Sequence, residues 1–422
     1  MLQEPRARLY RRRRRASQHA HRLNQEEMLP SGSDHDLELK SISCEPTTEQ
    51  ELEQDEDEED DDEEEEEAEE EEEEEEDEQD EDEEEELAPE SSMEDEKNDF
   101  AHHRKDWEFT FKHGNRTFDL ITSLSPMVYT HCTPSCLPVD AGLVPSLQMF
   151  SIKIAKIKHL QWPLHVYGTV AARDYVDQKR NIIFFRPRSE SQTITKNDPY
   201  LHLTGPRRGL LSVEPVHIEI RLMLKEGRSW PEDRELVTRA FCYDAYDNPS
   251  NCDYFISHLT NYLCKIEMCY EQLVKSRQAT VLAVRVMQGS PFKYGGQVLC
   301  CASPYEDDTS KMIVLFDSKY GNTSLDNNGT MSMDPDGYLD LSRRVVSVQG
   351  RLKIFIHTYS RSGAILATGR VSFRAKDCQT SQARCVLHNR RKGTNSAVKI
   401  TVAWSRFARK ISNIEIDCFT NL

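Results

Sequence analysis

One long stretch of alternating apolar and polar residues, Leu147 to Phe185, constrains the fold of this chain more than any other feature. Its first segment places Phe150, Ile152 and Ile154 between polar residues, and a slip in the alternation near Ala155 indicates a β-bulge. A Trp-Pro connection, a second alternating segment, a charged turn and a β-branched third segment follow. Successive side chains of a strand point to opposite faces of a sheet, so this period of two predicts half-buried β-strands.

Further segments of the same kind follow, and up to Asp244 no convincing helical period interrupts them. Turn residues separate the segments at the spacing typical of a β-sandwich. The stretch WEFTFKHGNRTFDL, which begins at Trp107, also alternates and is predicted to be a strand. The other predicted strands include Leu164–Arg173, Asn181–Phe185, Tyr200–Thr204, Val216–Leu224, Leu236–Tyr243, Ala364–Phe373 and Ala397–Ser405.

The second half of the chain repeats the plan of the first. Both Tyr200–Ile220 and Tyr338–Ile356 begin with Tyr-Leu-x-Leu, continue through Arg-Arg, two aliphatic residues and Ser-Val, and end in an alternating segment. Arg207 and Arg343 are 136 positions apart in these blocks. Ile218 and Ile354 have the same offset, which indicates an internal duplication.

These patterns predict an all-β chain with two tandem antiparallel β-sandwich units of the C2 type. We expect the first unit at residues 147–260 and the second at 261–408, after an extended lead-in at 101–146 and before a C-terminal tail at 409–422. Residues 1–100 are expected to be disordered, because 30 of the 32 residues from Asp55 to Glu86 are acidic and offer nothing apolar to bury.

Charge is distributed unevenly along the chain. Residues 101–422 contain 43 Lys and Arg but 30 Asp and Glu, whereas the N-terminal tract is acidic. This asymmetry indicates contact between the basic body and nucleic acid or another polyanion, and between the acidic tract and basic proteins. A surface excess of basic residues that serves only solubility explains it as well. The Arg-rich cluster Arg6–Arg15 is read equally as a nuclear localisation or phosphate-binding signal and as a tail that folds back onto the acidic tract.

The candidate anion contacts are short basic clusters. Three of the seven candidate residues lie together at an expected loop tip that ends in Gly393. The other four form two Arg-Arg pairs, which occupy matching places in the two repeats. The recurrence of these pairs favours ion pairs within the sheets as much as phosphate binding. The seven residues are Arg390, Arg391, Lys392, Arg207, Arg208, Arg343 and Arg344.

Motifs for catalysis, cofactors and metals are missing from the sequence. It has no nucleophile elbow, phosphate-binding loop, zinc-protease helix or dinucleotide fingerprint, so we predict a non-enzymatic binding module without cofactor or metal. Asp244, Asp247 and Asp253 resemble a calcium loop of C2 domains, but the companion loop, residues 158–163, has no carboxylate.

The cellular compartment is inferred from the cysteines and the hydropathy. The chain has 12 cysteines but no apolar signal segment after Met1, so we expect reduced thiols and a cytoplasmic or nuclear location. No apolar run is long enough for a membrane span. The oligomeric state is left open.

Seven segments of the ordered part together carry a family resemblance: TSLSPMVYT (Thr122–Thr130), LQMFSIKIAKI, LQWPLHVYGTVAARD, RNIIFFR, LTGPRRGLL, LDLSRRVVSV and KITVAWS (Lys399–Ser405). They resemble the plant domain of unknown function 6598 (DUF6598), which is expanded in grasses. The resemblance implies a β-rich domain of unassigned activity, a link to stress responses and proximity to RNA or the ribosome.

Relatives of this family occur with ribosome-inactivating, jasmonate-induced N-glycosidase modules, so the resemblance also implies an alternative function as a relative of such rRNA N-glycosidases. That chemistry uses a Glu-x-x-Arg pair. The pair does not occur in residues 101–422, where Glu235 and Arg239 are one position too far apart. The depurination activity is therefore not expected to transfer.

Overall fold

A computed structural model describes residues 92–111, 117–244, 254–302, 311–320, 330–389 and 395–409. All of them belong to one compact unit, Glu84–Leu422. The acidic tract, the Arg-rich cluster and the candidate contacts Arg390, Arg391 and Lys392 lie outside the described residues. In the part that is described, no helix is long and apolar enough to cross a membrane.

The described residues form one α-helix, α1 (Met93–Phe111), two short 3-10 helices (Arg188–Glu190 and Trp230–Glu232) and eighteen strands. The strands are β1 (Ala141–Gly142), β2 (Val144–Ile157), β3 (Leu164–Arg173), β4 (Asn181–Arg186), β5 (Gln192–Ile194), β6 (Leu210–Leu211), β7 (Val216–Leu224), β8 (Arg234–Tyr243), β9 (Tyr254–Thr260), β10 (Cys264–Gln288), β11 (Gly296–Cys301), β12 (Ile313–Asp317), β13 (Val345–Val348), β14 (Arg351–Tyr359), β15 (Ile365–Arg374), β16 (Thr380–Asn389), β17 (Asn395–Ser405) and β18 (Phe407–Ala408).

Two antiparallel sheets carry most of these strands. The smaller sheet has the order β4-β3-β7-β8, with β5 beside β3. The larger sheet has the order β12-β11-β14-β15-β16-β17-β10-β2-β6, and β9 and β13 also pair with β10. The predicted all-β, antiparallel fold class is confirmed.

The order of strands occurs twice, which confirms the predicted repeat. The series β4-β3-β7-β8 in the first half corresponds to β12-β11-β14-β15 in the second, and β9-β10-β2-β6 corresponds to β16-β17-β10-β13. Strand β10 belongs to both repeats. Its residues 264–273 pair with β2, whereas its residues 278–288 pair with β17.

Each repeat encloses its own hydrophobic core between two layers of strands. The first core includes Ile220 of the smaller sheet and Ile266 of the larger one, both fully buried. The second core includes Ile354 and Trp404, which are also fully buried. Each repeat is therefore a two-layered β-unit, while the assignment to the C2 type and the boundaries at residues 260 and 408 stay predictions.

The predicted bulge near Ala155 is confirmed by the register of β2 on β10. Lys265 lies opposite Lys156 and Ile266 lies opposite Ile154, so that Ala155 has no partner in the ladder. An extra residue of this kind bends the strand locally while its neighbours keep their faces.

The predicted strand Tyr200–Thr204 is wrong, because this segment crosses between the two layers. The backbone N–H of Leu201 donates to the carbonyl of Ile152 in the larger sheet, whereas that of Thr204 donates to Ile183 in the smaller sheet. The segment thus satisfies its backbone groups on both sheets in turn and extends neither. We call residues 199–209 the first crossing segment and residues 337–344 the second, because Leu339 and Arg343 bond in the same way to β10 and β12.

The strand predicted to begin at Trp107 is also wrong, because residues 93–111 form helix α1. Ser92 caps this helix: the backbone N–H of Asp95 donates to Ser92 Oγ over 3.1 Å, and the Asp95 carboxylate bonds back to Ser92. Acidic residues in the first turn complement the helix dipole. Phe100 and Trp107 are buried on one face of α1 at a spacing of two turns. Helix α1 therefore occupies residues 93–100, which were expected to be disordered, and residues 101–111, which were expected to be extended.

Candidate functional site: a cleft between the two repeats

A cavity of about 580 Å³ lies where the outer face of β2, β9 and β10 meets β11, β12 and the two crossing segments. This volume is in the range of pockets that bind small molecules. Its walls combine aromatic rings with a few charged groups. Six of the lining residues are Phe150, Tyr200, His202, Asp317, Tyr320 and Arg343.

Arg343 is the least ordinary residue of this cleft. The second crossing segment carries it into the interior, where its side chain is only about 1 % exposed. One Nη2–H donates to the backbone carbonyl of Met149 in β2, but Nε has no hydrogen-bond partner among the residues that the structure describes. Burial lowers the pKa of Arg343 to about 10, and the neighbouring Cys300 opposes this shift. The guanidinium therefore stays charged at neutral pH.

His202 approaches the same cleft from the first crossing segment. It is 7 % exposed, and its ring lies 5.2 Å from the ring of Tyr320. Its Nε2 is 3.4 Å from the Oγ of Ser342, the residue directly before Arg343, whereas its Nδ1 has no hydrogen-bond partner in the described part of the chain. Burial, together with the charge of Arg186, lowers the pKa of His202 to about 4, so the ring is neutral at pH 7.

Two of the three acidic side chains that line the cleft, Asp317 and Glu267, have partners. Asp317 accepts hydrogen bonds from the Gln297 side chain over 3.0 Å and from the Lys319 backbone N–H over 2.9 Å. Burial raises the pKa of Asp317, and these contacts oppose the shift. Glu267 forms a 3.2 Å ion pair with Lys153. Among the residues that the structure describes, no carboxylate is paired with Arg343.

The predicted anion contacts do not form one basic patch. Arg208 is buried and makes a bidentate pair with Asp174, over 2.6 and 2.7 Å, and a third bond to Asp177. Arg207 is exposed. Arg344 is partly exposed and donates to the carbonyl of Leu282. Of the two Arg-Arg pairs, one member of each is therefore buried, and Arg343 alone lines the cleft.

Sequence reasoning selected Arg343 but missed His202. A signal was present in the repeat: His202 occupies the variable position of Tyr-Leu-x-Leu, where the second repeat has Asp340. The leucines are buried in both copies, but Asp340 is exposed and His202 is buried. A residue that departs from its repeat partner in burial is one that the shared fold does not require.

In the described part of the chain, no group of three or more His, Cys, Asp or Glu is placed to hold a metal ion. Of the three aspartates in the calcium-like loop, Asp244 is described, and Asp247 and Asp253 lie outside the described residues.

Comparisons with solved structures give weak likenesses. Human GIVD cytosolic phospholipase A2 matches with a TM-score of 0.23 and 8 % identity, over 64 % of this chain and 31 % of that one. Its complex with methyl gamma-linolenyl fluorophosphonate matches with a TM-score of 0.20 and 6 % identity, over 63 % and 32 %. The chain thus spans about a third of the length of these proteins.

A search of curated proteins finds no match. A family model does match: the domain of unknown function DUF6598 covers residues 146–392, which is more than half of the chain. The matched region includes both crossing segments and every residue of the cleft that is named above. The chain belongs to the DUF6598 family.

Proposed function

We propose that this protein is a non-enzymatic binding module and that the cleft between its repeats takes a ligand with an anionic group, which pairs with Arg343. The observation that supports this is a charged, fully buried guanidinium whose Nε has no acceptor within the described ranges. Burying a charge without a counter-ion costs several kcal/mol, on the order of 3–5 where a buried pair is broken. A fold retains such a group at a functional site more readily than in a core.

The other buried arginines of the chain support this interpretation. Arg208 is paired with Asp174 and Asp177, and Arg173 is paired with Glu219. The protein therefore supplies carboxylates where an arginine serves the fold. Arg343 is buried as deeply as these two, but of the residues described only Met149 supplies it with a hydrogen-bond acceptor, a carbonyl oxygen. The missing acceptor is what a ligand carboxylate or phosphate would provide.

The contacts of Ser342 favour binding over catalysis. Its hydroxyl donates to the carbonyl of Leu315 over 3.1 Å, so its hydrogen is not directed at His202. A serine nucleophile needs a base that accepts this hydrogen. The N-glycosidase alternative gains nothing from the described residues of the cleft, and a plant origin, a stress link and contacts with RNA or the ribosome stay predictions.

Isothermal titration calorimetry of the full chain with phenylacetate, and with benzyl alcohol as the uncharged control, tests the proposal. We expect phenylacetate to bind and benzyl alcohol to bind at least tenfold more weakly. Arg343→Met should lose this preference, since a hydrogen bond to a charged group contributes about 1.5–3 kcal/mol. Arg344→Met is the matched control and should keep it.

Ser151→Trp provides a second variant, because Ser151 lines the cleft without any part in the arginine contacts. The indole should fill the cavity and abolish phenylacetate binding while Arg343 remains in place. If phenylacetate and benzyl alcohol bind the wild-type chain equally, or if Arg343→Met and Arg344→Met behave alike, the proposal is wrong.

A further inference from the structure

We infer that the outer face of β16, β17 and β10 in the second repeat binds single-stranded nucleic acid. The face carries a row of three basic side chains, one on each strand, and the row ends at an exposed tyrosine. This surface lies outside the cleft, so the inference does not depend on the proposed function. It rests on the register of the strands, on a comparison with the first repeat and on the contacts of the three cations.

The register of the sheet places the three basic side chains side by side. Lys399 of β17 is the direct partner of Arg285 in β10 and of Arg384 in β16. Direct cross-strand partners project from the same face of a sheet. The chain neighbours of Lys399, Val398 and Ile400, are fully buried in the second core, so the three cations lie on the outer face. We call these three residues the basic row.

The crossing segments identify the matching positions in the first repeat. An isolated antiparallel bridge joins β2 to the first crossing segment, and the same kind of bridge joins β10 to the second. Because β2 and β10 occupy matching places in the repeated strand order, the two bridges mark matching positions. Across the strands from these bridges, the row of the first repeat is Tyr200, Lys153, Glu267 and His258, and the row of the second is Tyr338, Arg285, Lys399 and Arg384.

The row of the first repeat is neutralised by its own side chains. Glu267, at its centre, forms a 3.2 Å ion pair with Lys153 and lies 3.7 Å from Nε2 of His258. In the second repeat Lys399 takes this central place, and within the described ranges no carboxylate lies at ion-pair distance from the basic row. Like charges on directly opposite residues destabilise a sheet. An anion bound across the basic row would offset this repulsion.

The contacts of the basic row leave its charges without a counter-ion in the described part of the chain. Arg285 Nε–H donates to the backbone carbonyl of Asp336 over 2.8 Å, and Arg384 Nη2 donates to a glutamine side chain of β10 over 3.1 Å. Both acceptors are neutral. The nearby carboxylate of Asp340 lies 3.8 Å from Arg344. Adjacent strands are about 4.8 Å apart, so the basic row presents three cations over about 10 Å.

The tyrosine at the end of the basic row favours nucleic acid over other polyanions. Tyr338 is 43 % exposed, and the guanidinium carbon of Arg285 lies 5.1 Å from the centroid of its ring. Proteins that bind single strands combine basic residues that contact the phosphates with aromatic rings on which bases stack. An acidic peptide has no base for the ring, and a duplex keeps its bases stacked inside. The surface therefore fits the backbone of a single strand, with one base against Tyr338.

Fluorescence anisotropy of the full chain with labelled dodecathymidylate at low ionic strength tests the inference. We expect binding that weakens steeply with salt. The slope of log affinity against log salt should be about −2, because each of three neutralised phosphates contributes about −0.7 on a single strand. A duplex of the same length and labelled decaglutamate should bind at least tenfold more weakly than the single strand.

Lys399→Glu gives the second repeat the charge pattern of the first. The new carboxylate can pair with the arginines on both neighbouring strands, so this variant should melt at a higher temperature than the wild type. It should bind dodecathymidylate at least tenfold more weakly. Arg374→Glu is the matched control, since Arg374 is exposed in β15, outside the basic row, and also lies opposite an arginine, Arg351. This control should keep the wild-type affinity.

Substitutions of Tyr338 test the stacked base. Tyr338→Leu should lose the preference for dodecathymidylate over decaglutamate, and Tyr338→Phe should keep it. The inference is overturned if the wild type does not bind the strand, if Lys399→Glu binds it equally well, or if the wild type prefers the duplex or the peptide. None of these outcomes bears on the proposed function, because the basic row does not line the cleft.

Discussion

At the scale of single residues, two buried arginines differ in the partners of their guanidinium groups. Arg208 holds the first crossing segment to the turn after β3 through Asp174 and Asp177. Arg343 holds the second crossing segment to β2 through one carbonyl oxygen. The first arrangement is a network of ion pairs, whereas the second is a hydrogen bond to a neutral carbonyl oxygen. Their contributions to stability should therefore differ in sign.

Matched substitutions test this difference. Arg208→Met leaves two buried carboxylates without a counter-ion and should lower the free energy of unfolding by about 3–5 kcal/mol. Arg343→Met removes an unpaired charge and replaces it with an apolar chain, so it should leave stability unchanged or raise it. Chemical denaturation at pH 7 measures both. A comparable loss in the two variants would show that Arg343 serves the fold.

Glu219 links the stability of the first repeat to pH. Burial disfavours its ionised form, but the neighbouring His103 and Arg173 side chains and the charge of Arg180 outweigh this and lower the pKa of Glu219 to about 2. A carboxyl with a pKa lower in the folded state than in the unfolded state stabilises the fold fully above its unfolded value. That stabilisation is lost as the pH falls from about 5 towards about 2.

Glu219→Gln should therefore cost about 3–5 kcal/mol at pH 7 and flatten the decline of stability between about pH 5 and 2. The control is Glu226→Gln, which removes an exposed pair with Arg234 and should cost less than about 1 kcal/mol. Denaturant titrations across this pH range provide the measurement. If the free energy of unfolding of Glu219→Gln declines as steeply with falling pH as that of the wild type, Glu219 is not the group that links stability to pH.

At the scale of elements, the strands could be predicted where one face is buried. The predicted bounds of β3 and β7 agree with the structure, and those of β4 and β8 differ by one or two residues. The period of two is clear there because alternate side chains enter the core. The crossing segments could not be predicted in this way, since Leu201 and Leu203 alternate like a strand while their backbone bonds to two sheets.

The sequence pattern did not predict helix α1, because the spacing of its aromatic residues fits both the strand period of two and the helical period. Trp107, Phe109 and Phe111 alternate as in a strand, but Phe109 is 84 % exposed, and the buried positions Phe100 and Trp107 follow the helical period. The capping residue Ser92 lay in the segment that acidic composition suggested to be disordered. The burial of Arg343 and His202 in the cleft could not be predicted either, because it depends on which segments meet in space.

Two substitutions distinguish a helix from a strand at residues 107–109. Trp107 packs under Arg173 and donates its Nε1–H to the carbonyl of Gln178 over 3.1 Å, so Trp107→Ala should lower the free energy of unfolding by about 3–5 kcal/mol. Phe109→Ala, two positions away on the exposed face, should change it by less than about 0.5 kcal/mol. Thermal unfolding measures both. Equal losses would be expected of a strand and not of α1.

At the scale of the whole molecule, strand β10 joins the two cores. It supplies Ile266 to the first core and Val281 to the second without a break. Two domains connected by a flexible linker unfold separately, whereas two cores built on one strand should lose their order together. The repeats are thus expected to form one cooperative unit despite their separate cores.

Calorimetry of two matched variants tests this cooperativity. Ile266→Ala in the first core and Ile354→Ala in the second each remove a fully buried side chain and should cost about 2–5 kcal/mol. Both should move the same single transition to lower temperature. Two transitions, each moved by only one of the variants, would show that the repeats unfold independently and that β10 does not couple them.

The charge of the whole chain carries the last prediction, which concerns polyanions and not the cleft. Residues 92–422 contain 44 Lys and Arg and 34 Asp and Glu, so removal of residues 1–91 changes a strongly acidic chain into a basic one. Because binding to a polyanion depends on the counterions released, the truncated chain should be retained on heparin more strongly, with a steep loss on added salt.

Removal of residues 55–86 alone provides the control, since it deletes the acidic tract but keeps the Arg-rich cluster Arg6–Arg15. If the tract competes with polyanions for the body, both shortened chains should elute from heparin at higher salt than the full chain. If only the chain that keeps the cluster does so, the cluster is the anion-binding element and the body is not. Elution of all three at the same salt would contradict polyanion binding by the body, and the function would then rest on the cleft alone.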